Sequence, residues 1–266
     1  MVRRMRLDTE LVRRGLARSR DQAAELIAAG RVAVGGQAAI KAATQVGQDA
    51  AITIADPVAG PDYASRGGRK LEGALAAFAD LAVAGRRCLD AGASTGGFTD
   101  VLLRAGAAHV VAVDVGYGQL AWSLRSDPRV TVLDRVNVRQ LTPEHVAPAP
   151  GLVTADLSFI SLTLVLPALA ACAAPDADFV LLVKPQFEVG KGNVGAGGVV
   201  KDPALRAAAV ESVAAAAWPL GLGVAGIVAS PLPGPSGNVE YFLWLRRGVP
   251  PLDHAALRHA IAEGPQ

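Results

Sequence analysis

The chain has 266 residues, of which 51% are hydrophobic and 19% charged, so it can bury a core and is not intrinsically disordered. The formal net charge is +2, but residues 1–70 carry 12 basic side chains against 7 acidic ones, and the remainder carries 14 against 17. A basic segment ahead of a mildly acidic body favours a polyanion-binding module joined to a separate domain.

The two cysteines, Cys88 and Cys172, lie in apolar runs and are predicted to be buried thiols, not a disulfide or a zinc site. The four histidines have no metal-ligand spacing, so no metal site is predicted. The first residues contain no apolar signal-peptide core, and the uncharged stretch 212–239 is interrupted by Gly and Pro. We therefore expect a cytoplasmic protein without a membrane-spanning helix. The same stretch predicts a helix near 203–217 and a buried strand near 224–229.

Residues 7–55 predict two short helices followed by a small sheet. Apolar residues recur at helical spacing, and Ser19 with Gln22 forms a capping box that starts the second helix, which ends at Gly30. The runs 32–34 and 52–54 are predicted to be short strands, and a Gly–Gly turn follows the first of them.

Arginines gather at the helix ends and turn of this module, where they suit contacts with phosphate groups. A merely solvated basic face remains the alternative. The segment RLDTELVRRGLARSRDQAAELIAAGRVAVGG resembles the S-four-type RNA-binding domain, which implies structured RNA as the partner. With that resemblance, the candidate RNA-binding residues are Arg6, Arg13, Arg14, Arg18, Arg20, Arg31, Lys41 and Arg66.

Apolar runs alternate with helical stretches from about residue 66 onward. They predict strands at 86–90, 109–114, 130–133, 152–156, 178–184, 224–229 and 240–245. This alternation indicates a doubly wound α/β sheet whose first five strands are parallel. We assign residues 1–58 to the RNA-binding domain, 59–68 to a linker, 69–248 to the α/β domain and 249–266 to a C-terminal tail.

The first strand of the α/β domain ends in CLDAGASTGGFTD, a glycine-rich turn that opens a helix. Its spacing is neither G-x-G-x-x-G nor a P-loop, because Phe98 stands where the P-loop has lysine. The form D-x-G-x-x-x-G-G resembles motif I of S-adenosylmethionine-dependent methyltransferases. Asp114 ends the next strand, where a carboxylate can accept hydrogen bonds from a ribose diol. The candidate cofactor-binding residues are Asp90, Gly92, Ser94, Gly96, Gly97, Phe98, Asp114 and Asn137.

Four charged residues are expected at the carboxyl edge of the sheet. Asp156 and Lys184 follow the fourth and fifth strands, and Glu240 begins the last strand, which reaches the same edge if it runs antiparallel. Lys70 opens the helix before the first strand. The chain has five lysines against 21 arginines, and lysine, unlike arginine, can give up its proton in a protein.

These four residues resemble the Lys-Asp-Lys-Glu tetrad of FtsJ-type ribose 2'-O-methyltransferases. Together with YASRGGRKLEGAL, LDAGASTGGFTD, ADLSFISL, LLVKPQFEVGKG and GPSGNVEYF, they identify the chain as similar to the TlyA (hemolysin A) family. The resemblance implies a Rossmann-like methyltransferase domain with seven strands behind a small N-terminal α+β domain. It implies methyl transfer from S-adenosylmethionine to the ribose 2'-oxygen of cytidine in ribosomal RNA of both subunits, with Lys70, Asp156, Lys184 and Glu240 as catalytic residues.

Three alternatives stay open at this point, and one is the same chemistry on a different acceptor, such as transfer RNA or messenger RNA. The chain could be an RNA-binding or ribosome-assembly factor that has lost its chemistry, although the complete tetrad argues against this. It could be a cytolysin, as the hemolysin name suggests, although no spanning or amphipathic basic helix is visible. The oligomeric state is not indicated by the sequence.

Overall fold

The structure is a computed structural model that describes residues 4–17, 19–28, 30–39, 41–47, 49–54 and 63–264. The chain divides into two units, residues 1–62 and 63–266. Among the described residues, no helix is both long and apolar enough to cross a lipid bilayer.

The described residues of the small unit form two helices and two small sheets. Their elements in chain order are β1 (Arg4–Arg6), α1 (Leu7–Arg13), α2 (Arg20–Ala28), β2 (Val32–Val34), β3 (Gln37–Ala38), β4 (Gln45–Gly47) and β5 (Ile52–Ile54). The Ser19 hydroxyl accepts a hydrogen bond from the Gln22 backbone N–H at 3.1 Å, so the predicted N-cap of α2 is confirmed. β2 pairs with β3 and β5, whereas β1 pairs with β4, and this second pairing was not predicted.

The core of the small unit is aliphatic, because residues 1–62 contain no Phe, Trp or Tyr. Leu7, Leu11, Ala23 and Ile27 are buried at the helical spacing that the sequence predicts. Leu16 is 38% exposed, because it follows the end of α1 at Arg13.

The large unit is one seven-stranded sheet with helices on both faces. Its elements in chain order are α3 (Gly67–Ala77), β6 (Arg87–Ala91), α4 (Gly97–Arg104), β7 (His109–Asp114), α5 (Trp122–Arg125), β8 (Val130–Asp134), α6 (Pro143–Val146), β9 (Leu152–Ala155), α7 (Leu166–Cys172), β10 (Asp178–Val183), α8 (Pro185–Glu188), α9 (Pro203–Ala217), β11 (Leu222–Ala229), β12 (Tyr241–Arg247) and α10 (His254–Glu263).

The strand order is β11-β12-β10-β9-β6-β7-β8, with β6 to β10 parallel and β12 antiparallel to both of its neighbours. The predicted mostly parallel doubly wound sheet is therefore confirmed. Helices α7, α9 and α10 cover one face of the sheet, and α3, α4 and α5 cover the other. Cys88 and Cys172 are free, buried thiols, as predicted.

Two segments outside the predicted strands differ from expectation. Helix α3 begins at Gly67, inside the range 59–68 that we assigned to a linker. The segment after Pro250, predicted to be a tail, forms α10, which is capped by the Asp253 side chain and buries Leu257 and Ala260 against the sheet. The spacing of these two apolar residues after an N-cap was the signal available in the sequence.

Candidate active site at the carboxyl edge of the sheet

The sheet topology brings three of the four predicted catalytic residues to one edge. Asp156 and Lys184 directly follow the parallel strands β9 and β10. Strand β12 is antiparallel to β10, and its first residue, Tyr241, pairs with Val183, so Glu240 lies beside Lys184 in the register. The expectation that the last strand starts at this edge is thereby confirmed.

The four residues form two ion pairs. Lys184 Nζ lies 2.5 Å from Asp156 Oδ1, and only 8% of the Lys184 surface is exposed. Lys70 donates a hydrogen bond to Glu240 Oε2, and both side chains are buried. The chain position of these two residues differs by 170, so only the fold brings them together.

Helix α3 connects the two pairs. A Cβ atom built at Gly67, three residues before Lys70, would lie 3.7 Å from Asp156 Oδ2. The first turn of α3 therefore packs beside the Asp156 carboxylate. The side chain of Arg66 donates to the Pro233 carbonyl at 2.7 Å, which ties this turn to the loop that leads into β12.

A pocket of about 490 Å³ opens at the same edge, within the range of small-molecule sites. Five predicted residues line it: Gly92, Ser94, Asp114, Asn137 and Asp156. The remaining wall is largely apolar and comes from Val115, Val136, Val138, Leu157, Phe159, Ile160 and Val165.

The glycine-rich turn holds Asp114 in place. The backbone N–H groups of Ser94 and Gly116 donate to the two oxygens of the Asp114 carboxylate at 2.8 and 2.7 Å. Ser94 adopts a positive φ of +48° in this turn. Gly92 has φ +84°, and a Cβ atom there would lie 2.6 Å from the Asp156 carbonyl oxygen, so only glycine fits.

Four of the predicted cofactor contacts lie outside the pocket wall. Asp90 is fully buried, and its carboxylate accepts hydrogen bonds from Thr99 at 2.7 Å and from Thr154 at 3.3 Å. Gly96, Gly97 and Phe98 pack inside the unit: Gly97 lies against Ser65 and Gly68, and the Phe98 ring lies 6.0 Å from that of Phe242. These residues therefore contact the interior of the large unit and not the pocket.

Burial raises the pKa of Asp90 to about 7, and the nearby charge of Asp156 acts in the same direction, whereas donation by Thr99 and Thr154 opposes the rise. The carboxyl group of Asp90 is thus the one that titrates near neutral pH beneath the candidate site. Its position one residue before the end of β6 gave no sign of this burial.

Several residues at the pocket were missed by sequence reasoning. Ser158 accepts a hydrogen bond from Lys184 at 3.0 Å, and Gln119 accepts one from the Ser94 hydroxyl at 3.3 Å. Phe159 is 91% exposed at φ +65°, and its ring lies 5.3 Å from that of Phe187. The sequence offered no signal for these residues beyond their place after strand ends: Ser158 and Phe159 follow β9, and Gln119 follows β7.

The predicted RNA-binding arginines of the small unit are largely paired with two buried carboxylates. Arg6 and Arg20 bind Asp8 at 2.8 and 3.1 Å, and Arg13 and Arg14 bind Glu10 at 2.6 and 2.7 Å. The sequence predicted phosphate contacts for these arginines, with a solvated basic face as the alternative, and it did not predict the two carboxylates that bind them.

The other four predicted RNA-binding residues are not seen to bind these carboxylates among the described residues. Lys41 is exposed, Arg18 lies outside the described residues, and Arg31 is partly buried. Arg66 belongs to the large unit and is bound to Pro233 as described above.

Comparison with known proteins gives two family matches. Residues 63–247 match the model described as FtsJ-like methyltransferase, and residues 5–52 match the S4 domain. These two ranges cover most of the large and the small unit.

Individual proteins match over nearly the whole chain. The chain is 64% identical over 270 residues, covering 100% of both chains, to the Mycobacterium tuberculosis protein named 16S/23S rRNA (cytidine-2'-O)-methyltransferase TlyA. It is 36% identical to Hemolysin A of Brachyspira hyodysenteriae, covering 89% of this chain and 98% of that protein. A solved structure from Streptococcus thermophilus superposes with a TM-score of 0.76 at 37% identity, covering 99% of this chain and 96% of that one.

Proposed function

Since the chain belongs to the FtsJ-like methyltransferase family, and within it to the TlyA proteins, we propose that it transfers a methyl group from S-adenosylmethionine to the ribose 2'-oxygen of cytidine in ribosomal RNA of the small and large subunits. The observation that carries the proposal is the presence of two ion pairs beside a pocket at one edge of the sheet. Lys184 pairs with Asp156, and Lys70 pairs with Glu240.

The pocket residues fit the proposed cofactor. Asp114 presents a carboxylate that can accept hydrogen bonds from a ribose diol, and the apolar wall suits an adenine ring. Asn137 stands at the same wall, and its Oδ1 is occupied by the Arg139 N–H at 3.0 Å, which leaves its amide hydrogens for a ring nitrogen. The turn needs no lysine, because this cofactor carries no phosphate.

The bound cofactor supplies an electrophilic methyl group on a sulfonium sulfur. The residues of this chain must hold the ribose hydroxyl and favour the negative charge that develops on its oxygen. We assign Lys184 as the residue nearest that oxygen, where it accepts the hydroxyl proton or directs a lone pair as an ammonium group. Asp156 and Glu240 orient the two amines, and Lys70 assists through its charge.

The small unit is proposed to bind the RNA backbone. Its exposed arginine side chains, Arg6, Arg13 and Arg20, are held at fixed positions by Asp8 and Glu10, as suits phosphate recognition. Because ribosomal RNA is the proposed substrate, we also propose that the protein is located in the cytoplasm.

The test is mass mapping of ribose modification. Ribosomal subunits from cells that lack the protein are incubated with the full chain and methyl-labelled S-adenosylmethionine. We expect label on the ribose of cytidine in ribosomal RNA, and loss of about a hundred- to ten-thousandfold in rate for Lys184→Ala with cofactor affinity retained. Label on a base, label only on transfer RNA, or no label would each contradict the proposal.

A further inference from the structure

Lys184 has a second partner besides Asp156. Its Nζ atom donates a hydrogen bond to Ser158 Oγ at 3.0 Å and lies 2.5 Å from Asp156 Oδ1. The Asp156 contact is an ion pair, so Ser158 is the hydrogen-bond acceptor of the two. Both residues come from the segment that directly follows β9, and both line the pocket. Ser158 is absent from the residues that the Lys-Asp-Lys-Glu pattern points to.

We propose that Ser158 is a positioning residue for Lys184: the ion pair with Asp156 holds the ammonium group in place, and the hydrogen bond to Ser158 fixes its rotation so that another N–H bond is directed at the ribose 2'-oxygen. The inference rests on the function proposed above and adds a fifth residue to the four. A lysine ammonium group has three hydrogens in tetrahedral arrangement, so one fixed hydrogen-bond acceptor determines the directions of the other two N–H bonds.

The ion pair with Asp156 alone would not fix the ammonium group. The lysine side chain has four rotatable carbon–carbon bonds and loses up to about 2 kcal/mol of conformational freedom when it is held in one rotamer. Asp156 alone allows the ammonium group to pivot about the contact between its nitrogen and one carboxylate oxygen. The hydrogen bond to Ser158 removes this pivot because it fixes the direction of one N–H bond.

Ser158 is itself held by its surroundings. The next residue, Phe159, adopts φ +65°, a conformation that costs an aromatic residue about 1–3 kcal/mol. The Phe159 ring packs against Phe187, and the Glu188 carboxylate accepts hydrogen bonds from the Ser161 hydroxyl at 2.5 Å and the Leu162 N–H at 2.8 Å.

The segment after β9 is therefore attached at three points to residues 184–188 after β10. These contacts keep the Ser158 hydroxyl beside Lys184 despite the exposure of Ser158 to the pocket. The same exposure permits its substitution without opening the core.

A different role for Ser158 would be direct binding of the ribose. The two roles have different kinetic signatures. A group that positions Lys184 acts on the chemical step, so its loss lowers kcat with little effect on KM. Loss of a group that binds the ribose equally in the ground and transition states raises KM instead.

The first experiment compares Ser158→Ala and Ser158→Thr with the wild-type chain, on ribosomal RNA at saturating cofactor. Ser123→Ala, which removes an exposed hydroxyl from α5, is the matched control. We expect kcat to fall about 10- to 100-fold in Ser158→Ala with KM for RNA changed less than about twofold, because small misplacements of a reacting group cost up to about a hundredfold. Ser158→Thr retains the hydroxyl and is expected to recover most of the rate, and Ser123→Ala to match wild type.

The second experiment combines Ser158→Ala with Lys184→Ala. If Ser158 acts through Lys184, the double variant is no slower than Lys184→Ala alone in single-turnover measurements. Two losses that multiply, or a rise in KM without a fall in kcat, would overturn the proposal.

The third experiment detects the contact without turnover. The chain has only five lysines, so the ¹⁵N-ammonium spectrum is simple, and the signal absent in Lys184→Ala identifies Lys184. We expect this signal in wild type and Ser123→Ala, and its broadening by fast hydrogen exchange in Ser158→Ala. An unchanged signal in Ser158→Ala would reject the positioning role, and this readout decides even if the chain transfers no methyl group to ribosomal RNA.

Discussion

The two ion pairs of the site differ in burial, and this difference has consequences for single substitutions. Lys70 and Glu240 are both enclosed by protein, whereas the Asp156 side chain is partly open to the pocket. Removing one partner of an enclosed pair leaves an uncompensated buried charge, which costs about 3–5 kcal/mol. Removing a partner at the pocket lets water replace it.

We therefore expect Glu240→Ala to lose folding stability as well as activity, and Lys184→Ala to lose activity at nearly unchanged stability. Chemical denaturation followed by tryptophan fluorescence measures the free energy of unfolding of both variants, because Trp122, Trp218 and Trp244 all lie in the large unit. Equal losses of stability in the two variants would contradict the assignment of the buried pair.

The buried carboxyl group of Asp90 should make the folding stability depend on pH. Its pKa is about 7 in the folded chain against an ordinary 3.8, because burial disfavours the carboxylate. Folding therefore loses stability as pH rises from about 4 to 7, by up to about 1.4 kcal/mol per pH unit from this group.

In Asp90→Asn this dependence is removed, and the amide oxygen can still accept the hydrogen bond from Thr99. The stability of the variant relative to wild type should grow between pH 4 and 7 and stay constant above pH 7. Denaturation midpoints over this pH range provide the measurement. Parallel profiles for the two proteins would show that Asp90 does not titrate there.

At the scale of elements, the turn between β6 and α4 determines the shape of the pocket. Gly92 combines a positive φ with a backbone approach to Asp156, so the end of β6 and the segment after β9 meet without a side chain between them. Gly85, in the turn before β6, has a similar φ of +74° but no atom within 4 Å of a built Cβ.

Comparison of Gly92→Ala with Gly85→Ala separates the cost of the positive φ from the cost of the close backbone approach. Both should lose about 1–2 kcal/mol from the left-handed backbone conformation. Gly92→Ala should lose more, and its affinity for S-adenosylmethionine should fall, because its Cβ atom displaces the Asp156 carbonyl. Calorimetric titration of the cofactor and thermal denaturation test this, and normal cofactor affinity in Gly92→Ala would argue against the pocket as the cofactor site.

At the scale of the whole molecule, the two units depend on different interactions. The large unit buries a sheet between two helical layers, whereas the small unit has an aliphatic core and two carboxylates that each bind two arginines. Hydrogen bonds from Arg13 and Arg14 lower the pKa of Glu10 to about 2, and those from Arg6 and Arg20 hold the pKa of Asp8 well below its usual range.

A lowered carboxyl pKa stabilises the folded state above the ordinary pKa, and that stability is lost as pH falls toward the folded value. The small unit should therefore unfold between about pH 4.5 and 2. Circular dichroism should lose helical signal in this range before tryptophan emission changes, because every tryptophan lies in the large unit. Glu10→Gln should lose stability at neutral pH and show a weaker dependence on acid, and coincident transitions of the two signals would contradict this order.

The sequence alone determined the α/β sheet, because seven apolar runs separated by helical stretches can be buried on both faces in few other ways. It determined which charged residues follow strand ends, since Asp156 and Lys184 stand directly after buried runs. It also indicated the basic N-terminal module, whose helix and strand patterns are local.

Only the tertiary structure decided which charges are partners. Lys70 meets Glu240, Asp8 holds Arg20, and Ser158 reaches Lys184 because the chain folds back over long separations, which no local pattern records. It also decided that Asp90 lies behind the pocket and that residues 254–263 form a helix against the sheet. Burial and pairing are properties of neighbours in space, whereas periodicity in a sequence reports only which face of an element is apolar.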